Sequence, residues 1–132
     1  MLKIKTKLGA SNIAGIGLFA AEFVAKDSII WEYDPIYDKV YTQEEFDNAV
    51  DLYKQFLTTY CFRFIDKYYL CIDNARFFNH SDSPNCYSSD FNEMQLGFTR
   101  ALRDIQPGEE LTDDYTGFGF TEKDREWNSI NF

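Results

Sequence analysis

A mainly β domain with one helical insert is the architecture this sequence predicts, and three observations predict it. Short stretches that alternate apolar and polar residues recur along the 132 residues, each bounded by Gly, Pro, Asn, Asp or Ser. One longer segment, residues 43–58, instead repeats its apolar residues at helical spacing. No repeat, low-complexity tract or Pro/Gly/Ser linker divides the chain, so residues 1–132 read as a single domain with the helical insert at about 42–58 and a C-terminal tail at about 116–132.

Taken in order, residues 3–7 alternate and form the expected first strand, followed by a turn at Gly9-Ala10-Ser11-Asn12. Residues 19–24 and 28–33 are the next two short strands, with Lys26-Asp27 between them. Thr42-Gln43-Glu44-Glu45 has the capping-box pattern, in which the Thr hydroxyl and the Glu carboxylate satisfy otherwise unpaired helix N–H groups. A helix starts there, and Phe46, Val50, Tyr53, Phe56 and Leu57 give it one apolar face. Residues 60–65 and 68–72 flank Asp66-Lys67 as a β-hairpin. Residues 93–102 alternate as a strand, Pro107-Gly108 is a turn, and residues 109–112 are another short strand. From Thr121 a second helix-start pattern precedes Trp127 and ends near Asn131.

Composition narrows the function classes. A net charge of −9 argues against direct nucleic-acid binding, which needs a basic face to neutralise phosphates. The same acidity either keeps a small protein soluble or favours Lys- and Arg-rich partners. Cys61, Cys71 and Cys86 lie at no metal-like spacing, which supports neither a disulfide framework nor a zinc cluster and suits a reducing, intracellular compartment. No apolar run approaches the roughly 20 residues of a membrane span, and the first residues lack a signal-peptide core, so a cytoplasmic protein is expected, with the nucleus as the other intracellular location. Thirteen Phe and nine Tyr predict an aromatic core with Tyr-lined pockets.

Three segments carry chemistry. Gly15-Ile16-Gly17-Leu18-Phe19 lets the backbone approach a ligand closely, and no Gly-Lys-Ser/Thr follows to make it a phosphate loop. Residues 76–86 read Arg-Phe-Phe-Asn-His-Ser-Asp-Ser-Pro-Asn-Cys, and residues 108–115 read Gly-Glu-Glu-Leu-Thr-Asp-Asp-Tyr. Each is weak alone, since Gly-x-Gly turns and Glu-Leu-Thr strands are common. In this order and spacing the triple resembles the signature segments of the SET-domain protein lysine methyltransferases, over about residues 5–115, and looks most like the compact stand-alone SET proteins of bacteria and large viruses.

The resemblance implies small curved β-sheets around the helical insert and a C-terminal segment threaded as a pseudoknot. It implies S-adenosylmethionine as cofactor, leaving S-adenosylhomocysteine as product, held by Gly15, Ile16, Gly17, Leu18 and Phe19 through main-chain atoms and by Asn79 and His80. Arg76, Ser81, Pro84 and Asn85 then shape the loop of the knot. Tyr115 aligns with the catalytic tyrosine of the family and also bounds the cofactor site, and Tyr60 aligns with a second active-site tyrosine. Zinc is not expected, because Asp82 stands where many nuclear relatives carry a zinc-binding Cys and their Cys-rich tail is missing. Phe118, Phe120 and Trp127 are the apolar groups left either to cover the cofactor or to pack on the core, and Trp127 is placed with the cofactor-binding residues.

The implied substrate is a lysine in a basic protein segment such as a histone tail, added as a strand beside residues 43–58, with no role for a membrane. The cluster Glu109, Glu110, Asp113 and Asp114 reads as a solvated strand edge in preference to a Ca²⁺ or Mg²⁺ site. Asp113 stands where many relatives place Phe or Tyr toward the lysine, so its carboxylate either points outward or makes the channel more polar. Two other functions compete: a SET-fold module that binds peptide or cofactor with little turnover, and a carboxylate-based metal protein. Oligomeric state and methylation multiplicity have no signal in the sequence.

Overall fold

The structure, a computed structural model, describes residues 1–64, 66–91 and 96–118. Near the N-terminus, β1 (Thr6–Ala10) pairs antiparallel with β2 (Ile16–Ala20), Thr6 opposite Ala20 and Ala10 opposite Ile16. The first strand thus begins three residues later than the alternation at 3–7 predicts, and the turn moves to residues 11–15. Ser11 holds that turn: its Oγ accepts the N–H groups of Ile13 at 2.9 Å and Ala14 at 3.2 Å. Gly15 closes it at φ +48°, where a side chain is disfavoured. The Gly-x-Gly segment is consequently half turn and half strand, and Val24, expected in that strand, makes only an isolated bridge to Ile105.

The strand β3 (Ile29–Glu32) lies where residues 28–33 predict it, and β4 (Lys39–Thr42) was not anticipated because four residues between polar neighbours show too little alternation. Thr42 then caps α1 (Gln43–Asp47): Thr42 Oγ1 accepts the Glu45 N–H at 3.1 Å, and Glu45 Oε2 accepts the Thr42 N–H at 2.8 Å. Both arms of the expected capping box are present. Thr42→Ala is expected to lower unfolding stability by about 1 kcal/mol in urea titrations, with m unchanged.

The single helix expected over 43–58 is two. Asn48 ends α1, and Val50 adopts an extended conformation (φ −67°, ψ 154°) as the residue before α2 (Asp51–Tyr60). This break re-aims the second helix and divides the expected apolar face. Leu57 is fully buried and Phe46 stacks on Tyr68 at 4.4 Å, whereas Val50 remains 73% exposed. The expected hairpin follows as β5 (Cys61–Phe64) and β6 (Lys67–Leu70), with β6 central between β4 and β5; Tyr60 belongs to the helix end and not to the strand.

A 3₁₀ turn at Asn74–Phe77 is capped by Asp73, whose Oδ1 accepts the Ala75 N–H at 3.0 Å. It leads into β7 (Asn79–His80), then β8 (Cys86–Phe91) and β9 (Leu96–Ala101), and the antiparallel sheet order is β3-β9-β8. The expected strand at 93–102 is therefore described from Leu96, since residues 92–95 lie outside the described residues. Past the Gly108 turn, the expected strand at 109–112 is an isolated bridge from Glu110 to Phe19 followed by β10 (Thr112–Asp113) and a 3₁₀ turn at Tyr115–Phe118. The second helix expected from Thr121, with Phe120 and Trp127, falls outside the described residues. Among those residues no helix is long and apolar enough to cross a membrane.

One apolar cluster sets the position of everything functional. Leu18, Ile30, Ile105 and Leu111 are fully buried together, each stabilising by roughly 1.5–3 kcal/mol. Leu18 lies in the Gly-rich segment and Leu111 in the Glu-Leu-Thr segment, and the Leu111 N–H donates to the Leu18 carbonyl at 2.7 Å. Burial of these two side chains thus fixes two of the three signature segments against each other.

Candidate active site

The third segment joins through a parallel pairing. β7 lies beside β10, Asn79 opposite Thr112 and His80 opposite Asp113. Asn85 braces the junction from within, 4% exposed: its Oδ1 accepts the Thr112 N–H at 2.9 Å and its Nδ2 donates to the Glu110 carbonyl at 2.7 Å. An unsatisfied buried peptide group would cost about 1–3 kcal/mol, so this amide closes the junction where strand pairing cannot. Ser81 donates its N–H to the Asp113 carbonyl at 3.1 Å and also belongs to this loop.

Asn79 ties the junction to the glycine turn. Its Nδ2 shares two hydrogens among three acceptors, the Ala14 and Ile16 carbonyls at 3.2 Å each and Glu110 Oε1 at 2.8 Å. The other Glu110 oxygen accepts from Ser11 Oγ at 3.0 Å. Glu110 is therefore no solvated strand edge, as the sequence suggested, but a tie between turn and junction. Gly17 makes room for it: a Cβ there would lie 2.3 Å from Glu110 Oε1. Gly15 is different, since a Cβ would meet nothing within 4 Å.

His80 links the junction to Tyr115. Its Nδ1 accepts the Tyr115 N–H at 3.1 Å, which places the ring proton on Nε2, 3.0 Å from Asp82 Oδ1. Tyr115 is half-buried as a residue while its hydroxyl is enclosed, and that hydroxyl donates to the Phe78 carbonyl. Burial, with Asp113 nearby, pushes the phenol well above its ordinary value, so it stays protonated at physiological pH.

Tyr115 lines a cavity of about 90 Å³ together with Trp31, Cys61, Phe78, Thr99 and Asp113. Trp31 is 3% exposed, and its indole N–H has no partner among the described residues, leaving a donor for water or ligand. Cys61 and Cys71 also line the cavity, and burial pushes their thiols up, Cys61 to about 12, so neither is a thiolate nucleophile. Among the described residues no three His, Cys, Asp or Glu side chains group as metal ligands.

Of the two placements open to Asp113, outward or into the channel, the structure shows the inward one, unlike the solvated edge read for the cluster as a whole. Asp113 is 5% exposed and lines the cavity, its Oδ2 accepting from Ser88 Oγ at 2.6 Å. Burial raises its carboxyl to about 6, against the lowering effect of the Ser88 and Asp114 hydrogen bonds. The folded chain thus holds this proton at pH values where the unfolded chain has released it. Its contribution to stability grows as pH falls from about 6 toward 4, and above pH 6 the ionised group opposes folding by roughly 3 kcal/mol.

The structure places the segments carrying Gly15, Ile16, Gly17, Leu18, Phe19, Asn79, His80 and Tyr115 side by side. It does not bring Tyr60 to the cavity: its ring packs at 5.0 Å from Phe56 and 5.7 Å from Phe77, while Thr58, Thr59 and Cys61 supply the lining there. Trp127 lies outside the described residues. Sequence reasoning missed Glu110 as a tie and Ser88, Thr99 and Trp31 as lining; only the density of carboxylates at 109–114 hinted at the first.

The SET-domain family pattern matches residues 15–116. The chain is 34% identical over 128 residues to the histone-lysine N-methyltransferase mes-2 of Caenorhabditis elegans, covering 90% of this chain and 16% of that protein. It is also 34% identical over 119 residues to set-2 of the same worm, another histone-lysine N-methyltransferase, covering 83% of this chain and 8% of that protein. Among solved structures, a Plasmodium falciparum candidate histone methyltransferase superposes with a TM-score of 0.61 at 22% identity, over 86% of this chain and 95% of that one, a likeness of fold. With the pattern matched over most of the chain, this protein belongs to the SET-domain family.

Proposed function

We propose that the protein is an S-adenosylmethionine-dependent lysine N-methyltransferase acting on a basic segment of another protein. The observation that carries this reading is the convergence of the Gly15–Gly17 turn, Asn79-His80 and Tyr115, with Tyr115 lining a cavity of about 90 Å³. Relatives that share the domain are histone-lysine N-methyltransferases, and the net charge of −9 suits a basic partner.

The residues fit the cofactor on two counts. Space lies open over Gly15, and the Ala14 and Ile16 carbonyls of the turn are tied to Asn79, the chain neighbour of the half-buried His80, a polar setting suited to a nucleoside and amino-acid group. Gly15 to Phe19, Asn79 and His80 would hold it. When bound, it supplies a methyl group activated by a sulfonium charge.

The chain's own task is orientation and the removal of water. A free lysine of pKa about 10.4 carries its proton at pH 7.5, and neutralising it costs roughly 4 kcal/mol. Apolar walls such as Trp31, Phe62 and Phe78 disfavour the ammonium and lower that cost. The Tyr115 hydroxyl, kept protonated, serves as a fixed dipole where charge shifts and not as a base.

Incubation with methyl-labelled cofactor and a mixture of histones and Lys-rich proteins tests the proposal. Label on lysine, together with a rise in melting temperature on adding S-adenosylhomocysteine, is the expected result. Stabilisation without label would identify a binding module, and neither effect would overturn the assignment.

A further inference from the structure

We propose that Asp113 receives the substrate amine: its carboxylate accepts hydrogen bonds from the incoming lysine ammonium and takes the proton that must leave before methyl transfer. This rests on the methyltransferase reading above and adds a proton acceptor to it.

Placement comes first. Asp113 lines the same cavity as Tyr115 and is almost fully buried, so a lysine side chain entering there meets a carboxylate inside apolar walls. Among the described residues no Lys, Arg or His forms an ion pair with it. A buried carboxylate without a cation is costly, and a cationic substrate offsets that cost.

The hydroxyls behind it suit a group that changes protonation. Ser88 Oγ is 2.6 Å from Asp113 Oδ2 and 2.7 Å from Thr99 Oγ1. With Asp113 ionised, Thr99 donates to Ser88 and Ser88 donates to the carboxylate. With Asp113 protonated, the chain can reverse, the acid donating to Ser88 and Ser88 to Thr99. Ser88 Oγ both donates and accepts in either state, so the carboxyl keeps its hydroxyl partner whether or not it carries the proton. The fixed Asp114 N–H, 2.8 Å from Oδ1, is satisfied in both.

The step is balanced within the pair. One N–H bond of the ammonium breaks, its electrons stay on nitrogen as the lone pair, and an O–H bond forms on Asp113. Two charges become none, which an apolar cavity favours relative to water. The elevated carboxyl supports the transfer, and its value near 6 lets Asp113 ionise again at neutral pH once product leaves. The other groups facing it are the Asp114 carboxylate and the Tyr115 phenol on its own segment, the Cys86 thiol of β8, the Cys71 thiol, and the Arg76 guanidinium at the cavity lining. Burial keeps Tyr115, Cys71 and Cys86 neutral, so none of these three titrates alongside Asp113.

The test compares kcat/KM against pH for wild type and Asp113→Asn on a lysine peptide. Wild type should rise through an apparent pKa near 6 to a plateau extending toward the lysine pKa, because ionised Asp113 binds the ammonium. The Asn variant should lack that limb and rise steadily across the same range, about tenfold slower or more at pH 7.5. A peptide with the more acidic amine of thialysine should restore the variant more than wild type. Ser88→Ala, which removes one donor, should move the wild-type limb upward without abolishing it. Independently of turnover, the Asp113 carboxyl ¹³C resonance should titrate near 6 and shift when the lysine peptide binds. An unchanged limb and rate in Asp113→Asn, or no response of that resonance to peptide, would overturn this inference. Wild-type protein that transfers no methyl to any lysine would overturn the methyltransferase reading instead.

Discussion

Replacing Tyr115 by Phe is expected to lower kcat for methyl transfer by about 10²–10³-fold while KM for peptide and the stabilisation by S-adenosylhomocysteine change little. The substitution keeps the ring and its packing 5.6 Å from His80 and removes only the hydroxyl. That hydroxyl is enclosed, donates to the Phe78 carbonyl and stays protonated because burial and the neighbouring Asp113 both disfavour the phenolate. Under the proposed function it would act as a dipole fixed where charge is redistributed, not as a proton acceptor. No limb of the pH profile should vanish in Tyr115→Phe, which separates its effect from that of Asp113→Asn. The carbonyl left behind loses a partner, so stability should fall by about 1 kcal/mol, too little to explain a loss of that size. Single-turnover rates alongside melting curves check both halves. A variant that methylates at the wild-type rate would remove Tyr115 from the chemistry.

What sequence could disclose here depended on whether the deciding contact was local. The capping box at Thr42 and Glu45 is a four-residue event and formed as its spacing requires. The hairpin around Asp66-Lys67 is equally local. The break at Val50 is not, because period 3.6 continues across it and only the packing of Leu57 beneath β6 shows that the second helix has turned away. At the site, the motif triple singled out Asn79, His80 and Tyr115 as candidates through their order along the chain. The parallel pairing of β7 with β10 joins segments that no periodicity connects. Glu110 and Asp113 sit in one run of carboxylates with Glu109 and Asp114, and composition alone treats all four alike. Glu109 is half-buried and paired with Arg103 at 2.9 Å, Glu110 is bound to Asn79, and Asp113 is buried. Alternation along the strand, together with what each face meets, separates them.

The second large effect is expected at Gly17. Gly17→Ala places a Cβ 2.3 Å from Glu110 Oε1 and 2.7 Å from its Cδ, closer than any real contact. A free surface carboxylate would swing aside, but this one is held by Asn79 Nδ2 at 2.8 Å and Ser11 Oγ at 3.0 Å. Moving it breaks both hydrogen bonds to a charged group, and moving the strand instead disturbs the buried Leu18 next along the chain. A loss of about 2–4 kcal/mol in denaturant unfolding is expected, with at least tenfold weaker binding of S-adenosylhomocysteine because Asn79 loses its anchor to the turn. Gly15→Ala supplies the contrast: no atom obstructs its Cβ, so only the positive φ is penalised, by roughly 1 kcal/mol. The decisive comparison is Gly17→Ala with Glu110→Ala, singly and together. If the clash with Glu110 is the cause, the double variant should be about as stable as Glu110→Ala alone, a strongly non-additive cycle. Additive losses would place the cost elsewhere in the turn and remove Glu110 as the tie between the glycine segment and Asn79.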